Sequence, residues 1–137
     1  GSVTAVFGDL DGFKALNDKL GHRTGDAVLV AVADGLREAA GDESVIGRIG
    51  GDEFVAVKVL GGPSEAMNFM TRCRGSVRRA LSGFSGVDIS LGVAMSDFGD
   101  TPVDLLHRAD VDMYVEKRRR SQMVGDAEVE NSDGSVH

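Results

Sequence analysis

Arg48-Ile49-Gly50-Gly51-Asp52-Glu53-Phe54 places two glycines and two acids between apolar runs, and the fold turns on how this stretch is read. Gly-Gly between strand-like segments predicts a hairpin with a two-residue primed turn, whose central residues need φ > 0. The arms are Val45–Ile49 and Glu53–Leu60. Alternation along the returning arm sends Asp52 and Glu53 to opposite faces. Phe54, Val55, Ala56 and Val57 follow in succession, apolar on both faces as in a central strand. A surface turn has no need of two adjacent carboxylates, and two buried together repel. Beside an acid from another strand they become candidate ligands for divalent metal.

Working outward, the upstream chain reads Phe7-Gly8-Asp9-Leu10-Asp11-Gly12-Phe13-Lys14, then Asn17-Asp18, Gly21-His22 and Gly25-Asp26. Val3–Gly8 is a short apolar run, hence a buried strand, and it delivers Asp9 at its end. Alone, Asp9 reads as a strand-end acid accepting backbone hydrogen bonds. With Asp52 and Glu53 nearby, the metal-ligand reading overtakes it. Magnesium keeps several waters, so two or three carboxylates plus substrate phosphates suffice.

Glycines and prolines mark the remaining elements. Asp11–Lys19 predicts a short helix ending near Gly21. Thr24, Gly25 and Asp26 carry helix-start chemistry ahead of Val28, Leu29, Val32 and Leu36 on one face, and Gly41 closes that helix. After Gly61-Gly62-Pro63, Ser64 can cap a helix running to Leu81. Val87–Met95 reads as a strand, with Gly92 inside it. Thr101-Pro102 starts a helix that ends in Lys117-Arg118-Arg119-Arg120, where the dipole favours cations. A last strand over Gln122–Val124 is an open option. The order β-α-α-β-β-α-β-α-β predicts an α+β fold, an antiparallel-containing sheet with helices packed against it.

Composition narrows the function. The 137 residues are 42% hydrophobic and 27% charged, which fits one globular domain. A single cysteine, Cys73, excludes an internal disulfide framework and suits a reducing compartment. No apolar run reaches the roughly 18 residues of a membrane span. A net charge of −7 disfavours DNA or RNA as partner, so an anionic ligand needs metal ions or local Lys and Arg. Residues 125–137 are polar and acidic and are expected to be disordered.

The two acid blocks together resemble the GGDEF domain family of diguanylate cyclases. Its pattern runs D-x-D-x-F-K-x-x-N-D-x-x-G-H-x-x-G-D, followed by R-x-G-G-D-E-F. The resemblance spans Val3 to Val124, which sets the domain at residues 1–124. It implies a ferredoxin-like palm, a mostly antiparallel central sheet flanked by helices, similar to nucleotidyl cyclase catalytic domains. It also implies condensation of two GTP into cyclic di-GMP and two pyrophosphates, by metal-assisted 3′-hydroxyl attack across a homodimer. The cofactor implied is Mg2+ or Mn2+.

Residue by residue, the resemblance implies catalytic roles for Asp9, Asp52 and Glu53, with metal held by the side chains of Asp9 and Asp52 and the backbone carbonyl of Leu10. Glu53 is implied as a further metal contact or as the base for the attacking hydroxyl, and both roles stay open. Asn17 and Asp26 are implied to read guanine. A carboxylate suits the base's donor edge and an amide its acceptor edge. Taken alone, Asn17 and Asp26 read equally as helix-end and helix-start residues. His22 is assigned to the pocket lining. The backbone of Gly12, Phe13 and Lys14 opens a helix and can cradle phosphate oxygens, Lys14 adding charge and Phe13 itself reading as core. Asp11 and Asp18 match the pattern and are given structural roles.

The sequence also departs from the family. The family's last helix ends Y-x-A-K-x-x-G-R-N, its lysine and arginine gripping the β- and γ-phosphates. Here Tyr114, Glu116, Lys117, Arg120, Ser121 and Gln122 stand on that pattern. Lys117 matches, Ser121 replaces the arginine and Arg120 replaces the glycine, which leaves open whether Arg120 serves instead. The inhibitory R-x-x-D positions are Gly41 and Ser44, so no tight product inhibition is expected there. The family's D-x-L-T-x-L-x-N-R lead-in should precede Val3, so a longer protein with an upstream sensory region is expected. The domain is expected in the cytoplasm, with a membrane anchor for the whole protein left open. One rival reading is an inactive GGDEF module that binds GTP and regulates a neighbour. A more distant one is a relative of class III adenylyl cyclases, which the Asn17 and Asp26 pair disfavours.

Overall fold

Period-two alternation in the first ten residues organises the molecule. The first strand, β1 (Ser2–Asp11), sends Val6 and Leu10 into one core and Ala5 and Phe7 into another on the opposite side. The computed structural model describes residues 1–136, and side chains for residues 1–122. After β1 come α1 (Phe13–Leu20), α2 (His22–Ala40), β2 (Ser44–Arg48), β3 (Glu53–Leu60), α3 (Pro63–Ala80), β4 (Asp88–Met95) and α4 (Pro102–Val136). The strands form one antiparallel sheet in the order β2-β3-β1-β4. This is the expected α+β palm, with β3 interior as its two apolar faces required.

The α2 and α3 helices cover the side reached by Val6 and Leu10. Val28, Val32 and Leu36 make the buried stripe of α2, and Phe69, Cys73 and Val77 that of α3. The helices cross closely at Gly35, where a Cβ would stand 3.0 Å from the Ser76 carbonyl oxygen. On the other side α4 packs Leu105, Ala109 and Met113 on Ala5, Phe7 and Val55. Its backbone lies directly on Gly92 of β4, where a Cβ would meet the Met113 amide at 2.1 Å. That contact explains a glycine inside an apolar strand.

Two expectations are corrected. The connection between β2 and β3 is not a two-residue primed turn. It takes in residues 49–52, is closed by the Ile49 N–H donating to the Glu53 carbonyl at 2.8 Å, and neither Gly50 nor Gly51 has a positive φ. The longer connection reverses the chain without left-handed backbone. Nor do Gln122–Val124 form a last strand, since they continue α4. From Lys117 to Gln122 no glycine or proline interrupts the helix, Arg120 standing where a glycine stop was expected. The tail expected to be disordered, residues 125–137, is instead backbone of α4 as far as Val136. Among the described residues, no helix is long and apolar enough to cross a membrane.

Candidate active site

The register of the sheet sets the acids. Asp9 lies directly opposite Glu53 across the β1–β3 pair, so the two share the face that α4 covers. Asp52 is the last residue of the turn rather than the first of the strand. Its carbonyl accepts the Leu10 N–H at 3.1 Å, which pins the turn beside the end of β1. Burial, then the charge of Asp9, raises the Asp52 carboxyl above its ordinary pKa. Glu53 is raised in turn by burial, then by Asp9, Asp110 of α4 and Asp52. Both acids therefore neighbour Asp9, and the expected split to opposite faces does not occur, because Asp52 precedes the strand.

The Lys117 ammonium from α4 donates to Asp9 Oδ2 at 2.5 Å. Burial alone would lower the Lys117 pKa, but the bonds and charges of Asp9 and then Asp11 raise it. The other oxygen, Asp9 Oδ1, is buried with no hydrogen-bond partner. An orphaned carboxylate oxygen beside a second carboxylate fits a hard cation whose other positions are filled by water and phosphate. Leu10 buries its side chain in the core, so only its backbone can serve this site. Among the described residues, no three Asp, Glu, His or Cys side chains converge as a metal cage. Asp52 and Glu53 are nonetheless both close enough to Asp9 to feel its charge.

A second corner forms where α1 meets α2. Gly21, with φ 88°, is the single residue between them, so His22 opens α2 rather than lying in a loop, and it is exposed. Asn17 folds onto the next helix, where a Cβ on Gly25 would sit 1.8 Å from Asn17 Oδ1. That oxygen is also buried without a partner. Asp26 follows Gly25 and is exposed, at the end of a groove of about 400 Å³ whose floor includes Leu29, Ala33, Ile46 and Phe54. The acid pair does not line this groove. Gly12, at φ 78°, lets the chain turn from β1 into α1, and a Cβ there would meet the Gly86 carbonyl oxygen at 2.1 Å. Phe13 packs against the core as expected, and Lys14 is exposed one residue on.

At the basic end of α4 the three arginines differ. Arg118 and Arg119 are exposed, whereas Arg120 turns inward to Asp88, Asp11 and Glu116. Glu116 is gripped by Arg74 of α3 through both oxygens, one bond measuring 2.8 Å. Sequence reasoning missed Asp110, Asp88 and Glu116. The signal available was helical spacing, since Asp110, Met113, Lys117 and Arg120 fall on one face of α4.

Residues 1–123 match the family model described as diguanylate cyclase, GGDEF domain. The diguanylate cyclase TpbB of Pseudomonas aeruginosa is 34% identical over 123 residues, covering 85% of this chain and 28% of that protein. The diguanylate cyclase DgcP of Escherichia coli K12 is 34% identical over 126 residues, covering 88% and 37%. The crystal structure of the GGDEF domain of TpbB superposes with a TM-score of 0.76 at 34% identity, covering 86% of this chain and 77% of that one. The chain thus spans about a third of the length of these curated relatives.

Proposed function

The chain belongs to the diguanylate cyclase GGDEF domain family, and from that membership we propose that it condenses two GTP into cyclic di-GMP and two pyrophosphates. The observation that carries this reading is Asp9 Oδ1, a buried and unpartnered carboxylate oxygen beside Asp52. Asp9, Asp52 and the Leu10 carbonyl would hold a magnesium or manganese ion. When bound, the metal lowers the pKa of the 3′-hydroxyl and screens charge on the phosphates. Glu53 sits on the same face as Asp9, placed to take the hydroxyl proton or to add a metal contact. Asp26 accepts from the guanine N–H groups, and the orphaned Asn17 amide oxygen has the same need for a donor. His22, Lys14 and the backbone at Gly12 and Phe13 line the approach. Lys117 supplies positive charge for the polyphosphate.

One chain holds half the reaction centre. Two would meet about a two-fold axis, each 3′-hydroxyl attacking the α-phosphate held by the partner, so a monomer binds GTP with little turnover. A sensory region elsewhere in a longer, cytoplasmically facing protein would bring two domains together. The second reading, a GTP-binding regulatory module without turnover, draws on Ser121 and on the engagement of Arg120 with acids of its own chain. Gly41 and Ser44 close on each other, the Ser44 hydroxyl donating to the Gly41 carbonyl at 2.7 Å. They offer neither cation nor carboxylate, so calorimetry should find no tight product binding there.

The test is incubation with GTP and magnesium at high protein concentration, with products separated by chromatography. Cyclic di-GMP should form, and Asp52→Ala should abolish it. GTP binding without product, in this chain and in a longer one carrying its upstream region, would establish the regulatory module instead.

A further inference from the structure

We propose that Glu116 and Arg120 form a clamp that holds Lys117 over Asp9, which makes Arg120 a positioning residue and not a phosphate ligand. The inference builds on the reading of Asp9 and Asp52 as the reaction centre. Its starting point is a conflict in the sheet. Asp11 and Asp88 are directly opposed across the β1–β4 pair. Like charges in that position repel. Arg120 Nη1 lies between them, 2.6 Å from Asp88 Oδ2 and 3.5 Å from Asp11 Oδ2. Its Nη2 lies 3.1 Å from Glu116 Oε1, one helical turn back.

Each acid that Arg120 touches is fixed from another element. Arg74 holds Glu116 by a two-pronged guanidinium–carboxylate pair, the geometry with the strongest directional preference. Arg78 holds Asp88 through Nε and Nη2, both at 3.1 Å. The buried Ser90 hydroxyl donates to Asp11 at 2.8 Å. Reaching a phosphate would require Arg120 to leave acids on two strands and on its own helix. Lys117 lies between the clamp residues in sequence, and its ammonium falls 2.5 Å from Asp9 and 3.5 Å from Asp11. With α4 tied to α3 on one side of Lys117 and to the sheet on the other, that ammonium is directed at Asp9 and Asp11. Ser121 is exposed and offers a hydroxyl. Lys117 is then the cation through which this end of α4 meets a polyphosphate.

Two readouts test this on the whole chain. The first needs no nucleotide: the side-chain ammonium signal of Lys117 in 15N NMR, assigned by its loss in Lys117→Gln. The clamp predicts a sharp, exchange-protected signal that disappears in Arg120→Gln and in the nearly isosteric Glu116→Gln, but survives Arg119→Gln. The second is binding of a non-hydrolysable α,β-methylene GTP analogue with magnesium, and of GMP. Arg120→Gln should weaken the analogue about tenfold, the size of one displaced charge-assisted contact, with GMP unchanged. In the Lys117→Gln background it should add less than about twofold, because both act through one group.

Persistence of the Lys117 signal in Arg120→Gln or Glu116→Gln would overturn the clamp. So would a tenfold loss caused by Arg120→Gln in the Lys117→Gln background, the mark of a direct phosphate ligand. If the wild-type chain bound no guanine nucleotide, the functional reading would fail, while the NMR readout would still decide the clamp.

Discussion

On one side of the sheet Val6, Leu10, Phe54 and Leu91 meet α2 and α3 in a closed apolar layer. On the other, Ala5, Phe7 and Val55 meet α4 until the apolar contact gives way to Asp9, Asp11 and Glu53 facing Lys117 and Arg120. The same strands build both, and neighbours in sequence such as Asp9 and Leu10 part company completely. The difference is in what covers each face. Two apolar helix stripes can exclude water from one side, whereas α4 changes from apolar to charged along its length. Cations from α4 reach the carboxylates at the end of β1. One face supplies an apolar core and the other carries paired opposite charges.

The comparison can be broken hardest from the core side. Phe69 is fully buried on the inner face of α3, and Phe69→Ala should cost about 3–5 kcal/mol through lost burial and the cavity left behind. Against a total stability of roughly 5–15 kcal/mol for a domain, urea unfolding should show a much lower midpoint. A midpoint within error of wild type would mean that this layer does not carry the fold.

Gly92→Ala probes the other side without touching the α2–α3 core. The new methyl meets α4 backbone, which cannot rotate away as a side chain can. Overpacking of this kind costs about 1–3 kcal/mol, and the shift of α4 should also pull Lys117 from Asp9. Stability and nucleotide binding should fall together. A loss of stability alone would show that the Lys117 contact does not depend on how α4 sits on the sheet.

The two faces were unequally legible in the sequence. The core side was plain, because Val28, Val32 and Leu36 repeat at helical spacing and glycines mark nearly every boundary. The acids were legible as motif residues; the register of β1 on β3 sets Asp9 opposite Glu53, and the Leu10 N–H bond to the Asp52 carbonyl pins the turn beside them. What stayed hidden depends on contacts distant in sequence. Arg74 with Glu116 and Arg120 with Asp88 require α3, β4 and α4 to be adjacent, which no local pattern states. The turn at Gly50 and Gly51 was misread because glycine permits a positive φ without requiring one. Gln122–Val124 was misread as a strand because so short a run carries no periodicity that separates strand from helix.

Cys73 sharpens the comparison on a smaller scale. It is fully buried in the core layer, and burial pushes its thiol up to about 12, the charge of Arg72 opposing only in part. The folded protein should resist maleimide at pH 7 and react once unfolded in urea. Cys73→Ala should cost about 1 kcal/mol, the transfer value of one small buried group. Rapid labelling of the native state would show that the α2–α3 side opens more readily than its packing implies.

The smallest expected change in stability, and the one with the opposite sign, belongs to Asp52→Asn on the charged face. Asp52 has a raised pKa in the folded state, through burial and then the nearby charge of Asp9. The folded protein therefore holds a proton on this group more tightly than the unfolded chain does. As pH climbs from the ordinary aspartate value of 3.8 through the raised folded value, stability is lost as Asp52 ionises. Asparagine removes that loss. Below the window the variant and the wild type should unfold alike, and above it the metal-free variant should be slightly more stable. Adding magnesium should reverse the order, because binding to the native state stabilises the wild type by mass action and leaves the variant unmoved. Product formation by the variant should fall at least about a hundredfold, the usual scale for removing one charge-stabilising group from a reaction centre. A variant less stable than wild type at neutral pH without metal would mean that Asp52 is held by favourable contacts, and the strain attributed to the acid pair would have to be given up.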